Sequence, residues 1–172
     1  REVGVADLGR VAGPGRAEPV LGEAARRVAE VGEETGELHV ENRVIPCVHR
    51  AGGVVWLDFD VICGWGRSQN DYLELARCFH TVMVSNVPRM GLTLADEARR
   101  FTLMVDVFYD NKVNLIVSAE AGPDDLLKRE EGAKDARIRA MMFEFERTAS
   151  RLTEMQTREY LEQPRLVAAP SQ

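Results

Sequence analysis

The sequence predicts an α/β fold on three observations. Two apolar runs, "HTVMVSNV" from His80 and "KVNLIVSAE" from Lys112, each read as a strand with polar residues at its end. Between them Leu94, Ala98, Phe101, Met104, Val105 and Phe108 make a helical stripe. Upstream, "ELHVENRVIPCVHRAGGVVWLDFDVIC" is rich in Val and Ile and is broken by Glu41-Asn42, Pro46 and Ala51-Gly52-Gly53, the punctuation of short antiparallel strands and hairpins. A strand, a crossover helix and a strand place parallel neighbours side by side, joined right-handedly.

The elements follow in order along the 172 residues, enough chain for one ordinary domain plus a tail. Residues 1–20 carry "GRVAGPGRAEP", whose Gly and Pro mark a loop or a truncated edge. Residues 21–35 read as a short helix with Leu21, Ala24, Ala25, Val28 and Val31 on one side and Gly32 near its stop. Residues 36–66 are expected to form a β-hairpin-rich insertion, in which Pro46 suits an edge strand or bulge. The α/β unit over 67–120 opens with Ser68 as a helix cap and Asp71 in the first turn, where the helix dipole favours an acid. A variable loop covers 121–142, a last helix 143–163 with Phe145, Ala149, Leu152 and Met155 inward, and a disordered tail 164–172.

Composition narrows the function classes. The chain is 45% hydrophobic and 29% charged, which is globular usage, and no run reaches the ~18 apolar residues of a membrane helix. A net charge of −6 argues against general nucleic-acid binding, which draws on clustered Lys and Arg. The three cysteines, Cys47, Cys63 and Cys78, are odd in number and include no CxxC pair, as expected of free thiols in a reducing cytoplasm. The first residue is Arg1 rather than Met, no signal or transit pattern follows it, and the expectation is a piece of a longer chain.

Three motifs imitate chemistry. "GWGRS" at Gly64–Ser68 suggests a phosphate loop, but the GxxxxGK[ST] spacing fails and Arg67 stands where lysine is needed. "VVWLDFD" suggests a strand ending in a magnesium-holding acid; without a phosphate loop, Asp58 and Asp60 read better as exposed positions of an ordinary alternating strand. Cys47-Val-His49 and Cys78-Phe-His80 could supply four zinc ligands, yet structural zinc sites use CxxC or HxxxH spacing, so buried thiols and a core histidine are the better account.

Arginines and strand ends remain. Asp96 and Glu97 one turn before Arg99 and Arg100 read either as a solvated ion-pair ladder or as arginines aimed at phosphate or a partner's carboxylate. Arg147 and Arg151, four apart, pose the same choice, with Glu154 and Arg158 as nearby partners. Asn86 and Glu120 sit at adjacent strand tips, the edge where ligands collect in parallel sheets. No complete nucleophile, base and orienting acid is visible.

The stretches "RSQNDYLELARCFHTV", "DEARRFTLMVDVFYDNKVNLIVSAE" and "FEFERTASRLTEMQTREYL", in order and with plausible gaps, resemble the C-terminal half of the ZapE-type cell-division ATPases and the related mitochondrial lactation-elevated (ATPase-family-gene-one) proteins. The resemblance covers about 36–161, and the helix at Leu21 resembles the family's preceding segment. It implies the C-terminal part of an AAA+-type P-loop ATPase, in which ATP and Mg2+ are bound by a Walker A loop, a Walker B acid and a sensor asparagine lying upstream of this region. This chain contains none of them and is expected to be inactive alone. The resemblance also implies an upstream P-loop half as partner, possible homo-oligomers, FtsZ as a division partner in bacteria, and a cytoplasmic location, at the division site in the bacterial case; the mitochondrial relatives are linked to protein quality control. Within it, Arg99, Arg100, Arg147 or Arg151 would reach nucleotide or a neighbouring subunit. The strand-helix-strand from His80 to Glu120 would be a noncatalytic copy of the Walker B and sensor layout. "GWGRSQNDY" is richer in glycine than that family's pattern, and "EEGAKDARIRAMM" is longer than its usual link. Two other readings stand beside it: a P-loop-free module docking on a division or proteolysis partner, and a small zinc protein.

Overall fold

A computed structural model describes residues 34–128 and 134–165, and its centre is a mixed five-stranded sheet in the order β1-β2-β3-β4-β5. β1 (Glu34–Val40) and β2 (Arg43–Ala51) pair antiparallel across Glu41-Asn42. Both turn residues have positive φ, 48° and 60°, which is what a two-residue hairpin turn demands and Asn tolerates. β3 (Val54–Asp58) pairs with β2 only from His49 to Ala51. Pro46 therefore lies where β2 has a neighbour on one side alone, as its missing N–H requires.

β3 also pairs in parallel with β4 (Thr81–Val87), and β4 with β5 (Asn114–Ala119). The hairpin-rich segment is thus continuous with the α/β unit, and its third strand is the middle of the sheet. The parallel crossover expected between His80 and Glu120 is present: α3 (Ala95–Asp110) connects β4 to β5.

Strand alternation divides the burial. Val55 and Leu57 of β3 and Val82 and Val84 of β4 are fully buried in the main core with Phe101, Met104 and Phe108 of α3 and Tyr72 and Leu75 of α2 (Gln69–Cys78). Each such side chain stabilises the fold by roughly 1.5–3 kcal/mol relative to exposure. Val54, Trp56, Met83 and Ile116, the alternate positions, form a smaller cluster on the other face.

Two expectations are corrected. Asp58 and Asp60 do not alternate along one strand: β3 stops at Asp58, whose Oδ1 accepts from the Asp60 amide at 3.0 Å and starts the helical turn α1 (Phe59–Ile62). The last helix begins earlier than residue 143 and breaks before residue 163. α4 spans Ala136–Glu154, capped by Asp135, whose Oδ1 accepts from Arg137 N at 2.8 Å. Its first turn is largely exposed, so no apolar period advertises it. After Met155 the chain turns, and Thr157 caps α5 (Arg158–Leu161). Tyr160 anchors that short helix by donating to the carbonyls of Phe108 at 3.2 Å and Val113 at 2.9 Å.

The loop expected over 1–20 and nearly all of the helix expected over 21–35 lie outside the described residues, where 34 and 35 belong instead to β1. So do 129–133 of the variable loop and 166–172 of the tail. Among the described residues no helix is long and apolar enough to cross a membrane.

Candidate functional site

Three parallel strands end on one edge of the sheet, and the tips carry Asp58, Asn86 and Glu120. The pairing of β4 with β5 slips between Val84 and Val87, and within that irregularity Asn86 takes φ 60°. Its Nδ2 donates to Asp58 Oδ2 at 2.6 Å, tying β4 to β3. Glu120 turns elsewhere: its Oε2 accepts from Arg89 N at 2.9 Å, while Arg89 Nε donates to Asp125 O at 3.1 Å. The two tip residues singled out by sequence therefore share the edge and serve separate braces, one between strands and one between loops.

The Gly-rich stretch beside this edge is a tight turn. A Cβ on Gly64 would lie 2.0 Å from Asp60 O, and Gly66 has φ 81°, so neither position accommodates a side chain without strain. Arg43 Nη1 donates to Gly66 O at 2.6 Å and closes the loop. Ser68 is the N-cap of α2, as its sequence position predicts, but the strongest cap bond is supplied by Asp71. Asp71 Oδ2 accepts from Ser68 N at 2.7 Å and from Ser68 Oγ at 3.3 Å. Asp71, fully buried, also receives Arg43 Nη2 at 2.7 and 2.8 Å. The sequence placed Asp71 only as a first-turn acid favoured by the helix dipole; its S-x-x-D spacing from Ser68 is the signal that could have shown the reach-back, and nothing in the sequence pointed to Arg43.

α3 and α4 pack in parallel, with the start of α3 toward this edge and its end toward the start of β5. Phe101 stacks on Phe145 with centroids 6.3 Å apart, and Thr148 Oγ1 donates to Thr102 Oγ1 at 3.2 Å. Arg147 Nη2 donates to Asp106 Oδ2 at 2.9 Å, and Arg151 pairs with Asp106 Oδ1 while its guanidinium lies 4.8 Å over the Tyr109 ring. The expected partners on their own helix are used otherwise: Glu154 accepts from Tyr109 Oη and Arg158 pairs with Glu162. Asp106 is the acceptor that sequence reasoning missed, because its contact spans two helices. Arg100 Nε donates to Cys63 O at 2.7 Å and lies 3.6 Å from Glu97.

Arg99 differs from the other three. It is exposed one turn into α3, at the end of that helix beside the strand tips, and it makes no hydrogen bond or ion pair among the described residues. Two large apolar side chains are exposed, Trp65 at 93% in the Gly-rich turn and Phe143 at 76% on α4.

The cysteines do not gather. Cys63 is buried, and burial pushes its thiol well above the usual range although Arg100 opposes the shift. Among the described residues no three His, Cys, Asp or Glu side chains are placed to hold a metal, so the zinc reading finds no ligand set there. His49 lies against Trp56, ring centroids 5.7 Å apart, and His80 Nδ1 lies 2.8 Å from Thr81 Oγ1.

Among the described residues there is also no magnesium-triphosphate site. The Gly64–Ser68 turn lacks the phosphate-loop spacing, and both oxygens of Asp58 are engaged by neighbours.

Comparison with known proteins gives a consistent picture. Residues 23–164 match the model of the AFG1-like ATPase family. Lactation elevated protein 1 homolog B of Danio rerio is 36% identical over 146 residues, covering 72% of this chain and 29% of that protein. Cell division protein ZapE of Escherichia coli K12 is 37% identical over 134 residues, covering 78% of this chain and 33% of that protein. The chain thus spans about a third of the length of these curated relatives. No solved structure gives a significant match.

Proposed function

Because the chain belongs to the AFG1-like ATPase family, we propose that it is the portion of such an ATPase that completes the subunit beside the nucleotide-binding portion, and that Arg99 is its contribution to ATP turnover. On this reading ATP and Mg2+ are held mainly by another part of such an ATPase, since the described residues do not fit them. The carrying observation is the contrast among the four arginines. Arg100, Arg147 and Arg151 are bound to acceptors within the fold, whereas Arg99 presents its planar fork of donors at the edge where the parallel strands end.

An arginine presented to a phosphoryl group, in the same subunit or in trans from a neighbour in a homo-oligomer, stabilises the charge that develops on transfer. Substituting Arg99 by Ala in the complete native polypeptide lowers kcat for ATP hydrolysis by ~10³-fold or more on this reading. A part in cell division is proposed from the name of the Escherichia coli relative; a cytoplasmic setting and FtsZ as the bacterial partner are proposed with it, from the family resemblance of the sequence alone. Co-sedimentation of the complete protein with FtsZ filaments tests that partner, and no enrichment over a buffer control would exclude it.

The exposure of Trp65 and Phe143 favours a second reading, a docking module whose aromatic side chains anchor a division or proteolysis partner. A Trp65→Ala/Phe143→Ala pair that abolishes partner binding with ATP turnover unchanged would select it.

A further inference from the structure

The flank of α4 that faces the segment after β5 carries a groove distinct from the strand tips, although the Arg89 brace at Glu120 also holds its wall. Leu127, Met142, Phe145 and Ala149 line its apolar part, Asp124 and Glu146 stand at it with exposed side chains, and its volume is about 250 Å3. That volume is below the about 300–1,000 Å3 of pockets that enclose whole small molecules, and suits one large apolar side chain.

One wall is fixed in place. Met90 N donates to Leu126 O at 2.8 Å and Lys128 N to Met90 O at 2.7 Å, forming a parallel bridge between Met90 and Leu127. Arg89 holds Asp125 O from the same side. The other wall is α4, held to α3 by the Phe101–Phe145 stack. A groove with both walls held costs little ordering when something enters it.

The carboxylates supply the chemistry. Neither Asp124 nor Glu146 forms a side-chain hydrogen bond or ion pair among the described residues, in a fold where Asp58, Asp71, Asp106, Glu120 and Glu154 all do. Two negative charges without a partner among the described residues, beside an apolar slot, complement a cationic and apolar ligand.

We infer that this groove is a docking site for a peptide segment of a partner protein that inserts one Phe, Leu or Met side chain over Leu127, Met142 and Ala149 and places a flanking Lys or Arg against Asp124 and Glu146. The apolar anchor supplies the affinity, and the rim charges choose the partner and speed its encounter.

Random displayed peptides selected on the complete protein, with a parallel selection on the Asp124→Lys/Glu146→Lys variant, test this. Both substituted side chains are exposed, so folding is retained, and thermal unfolding of the variant checks that. The expected result is an enriched peptide family with an apolar residue flanked by Lys or Arg, binding the variant about tenfold or more weakly. The Ser150→Trp variant, which fills the groove from its exposed rim, removes the same family independently of charge. Peptides that bind parent and both variants equally, an enriched family with acidic flanks, or no enriched family at all would each overturn the assignment.

Discussion

Arg43, on the hairpin strand β2, holds Asp71 at the start of α2, with Nη2 at 2.7 and 2.8 Å from the two carboxylate oxygens, across 28 residues of sequence. Asp71 is completely buried and Arg43 is 44% exposed, so the pair is asymmetric. Removing the arginine strands a buried carboxylate, whereas removing the carboxylate leaves an arginine that water can reach. The same guanidinium holds Gly66 O, so one side chain joins the hairpin, the Gly-rich turn and the helix cap.

Arg43→Ala should therefore destabilise the fold by about 2–3 kcal/mol, the cost of leaving a buried charged acceptor without its partner. Ser68→Ala should cost less, about 1 kcal/mol or below, because its backbone amide still reaches Asp71 at 2.7 Å. Denaturant unfolding of both variants checks the order, and a Ser68→Ala effect larger than that of Arg43→Ala would refute it.

Gly53 meets His80 so closely that a Cβ there would stand 2.2 Å from the imidazole Cδ2. The obstruction is a side chain rather than backbone, so the strain is removable. Gly53→Ala should cost about 1–3 kcal/mol, and adding His80→Ala should recover part of the loss. Strict additivity of the two substitutions in a double-mutant cycle would show that the contact is not the cause.

His80 also gives the fold a pH dependence. Burial, reinforced by Arg165, holds its imidazole below the ordinary value of 6.5. The folded state thus binds the proton more weakly than the unfolded chain, and protonation favours unfolding. The contribution is complete above pH 6.5 and is lost as pH falls below that value toward the lowered folded one. Between about pH 7.5 and 5.5 the Tm of the parent should fall more steeply than that of His80→Gln. Parallel slopes would remove His80 from the account.

Much of the fold was legible because its signals are local. The stripe from Leu94 to Phe108 has the helical period, and the runs around Met83 and Ile116 are short apolar stretches of strand length rich in Val and Ile. Ser68 was legible as a cap for the same reason. The early start of α4 was hidden because Ala136 to Ala140 face water and need no apolar period. The short turn after Asp58 was hidden because Leu57, Asp58, Phe59 and Asp60 alternate in sequence whether or not the strand continues. The pairings of Arg43 with Asp71 and of Arg151 with Asp106 join residues 28 and 45 positions apart, and no single-sequence pattern encodes a partner at that distance. The distinction among the four arginines therefore came only from the structure.

The most direct measurement is steady-state ATP hydrolysis by the complete native polypeptide carrying Arg99→Ala, beside Arg147→Ala as a control whose parent side chain is already paired with Asp106. Arg99→Ala should reduce kcat by ~10³-fold or more with unchanged thermal stability, and Arg147→Ala should leave most of the rate intact. An Arg99→Ala protein that hydrolyses ATP at the parent rate would contradict the assignment and leave this edge of the sheet without a part in nucleotide turnover.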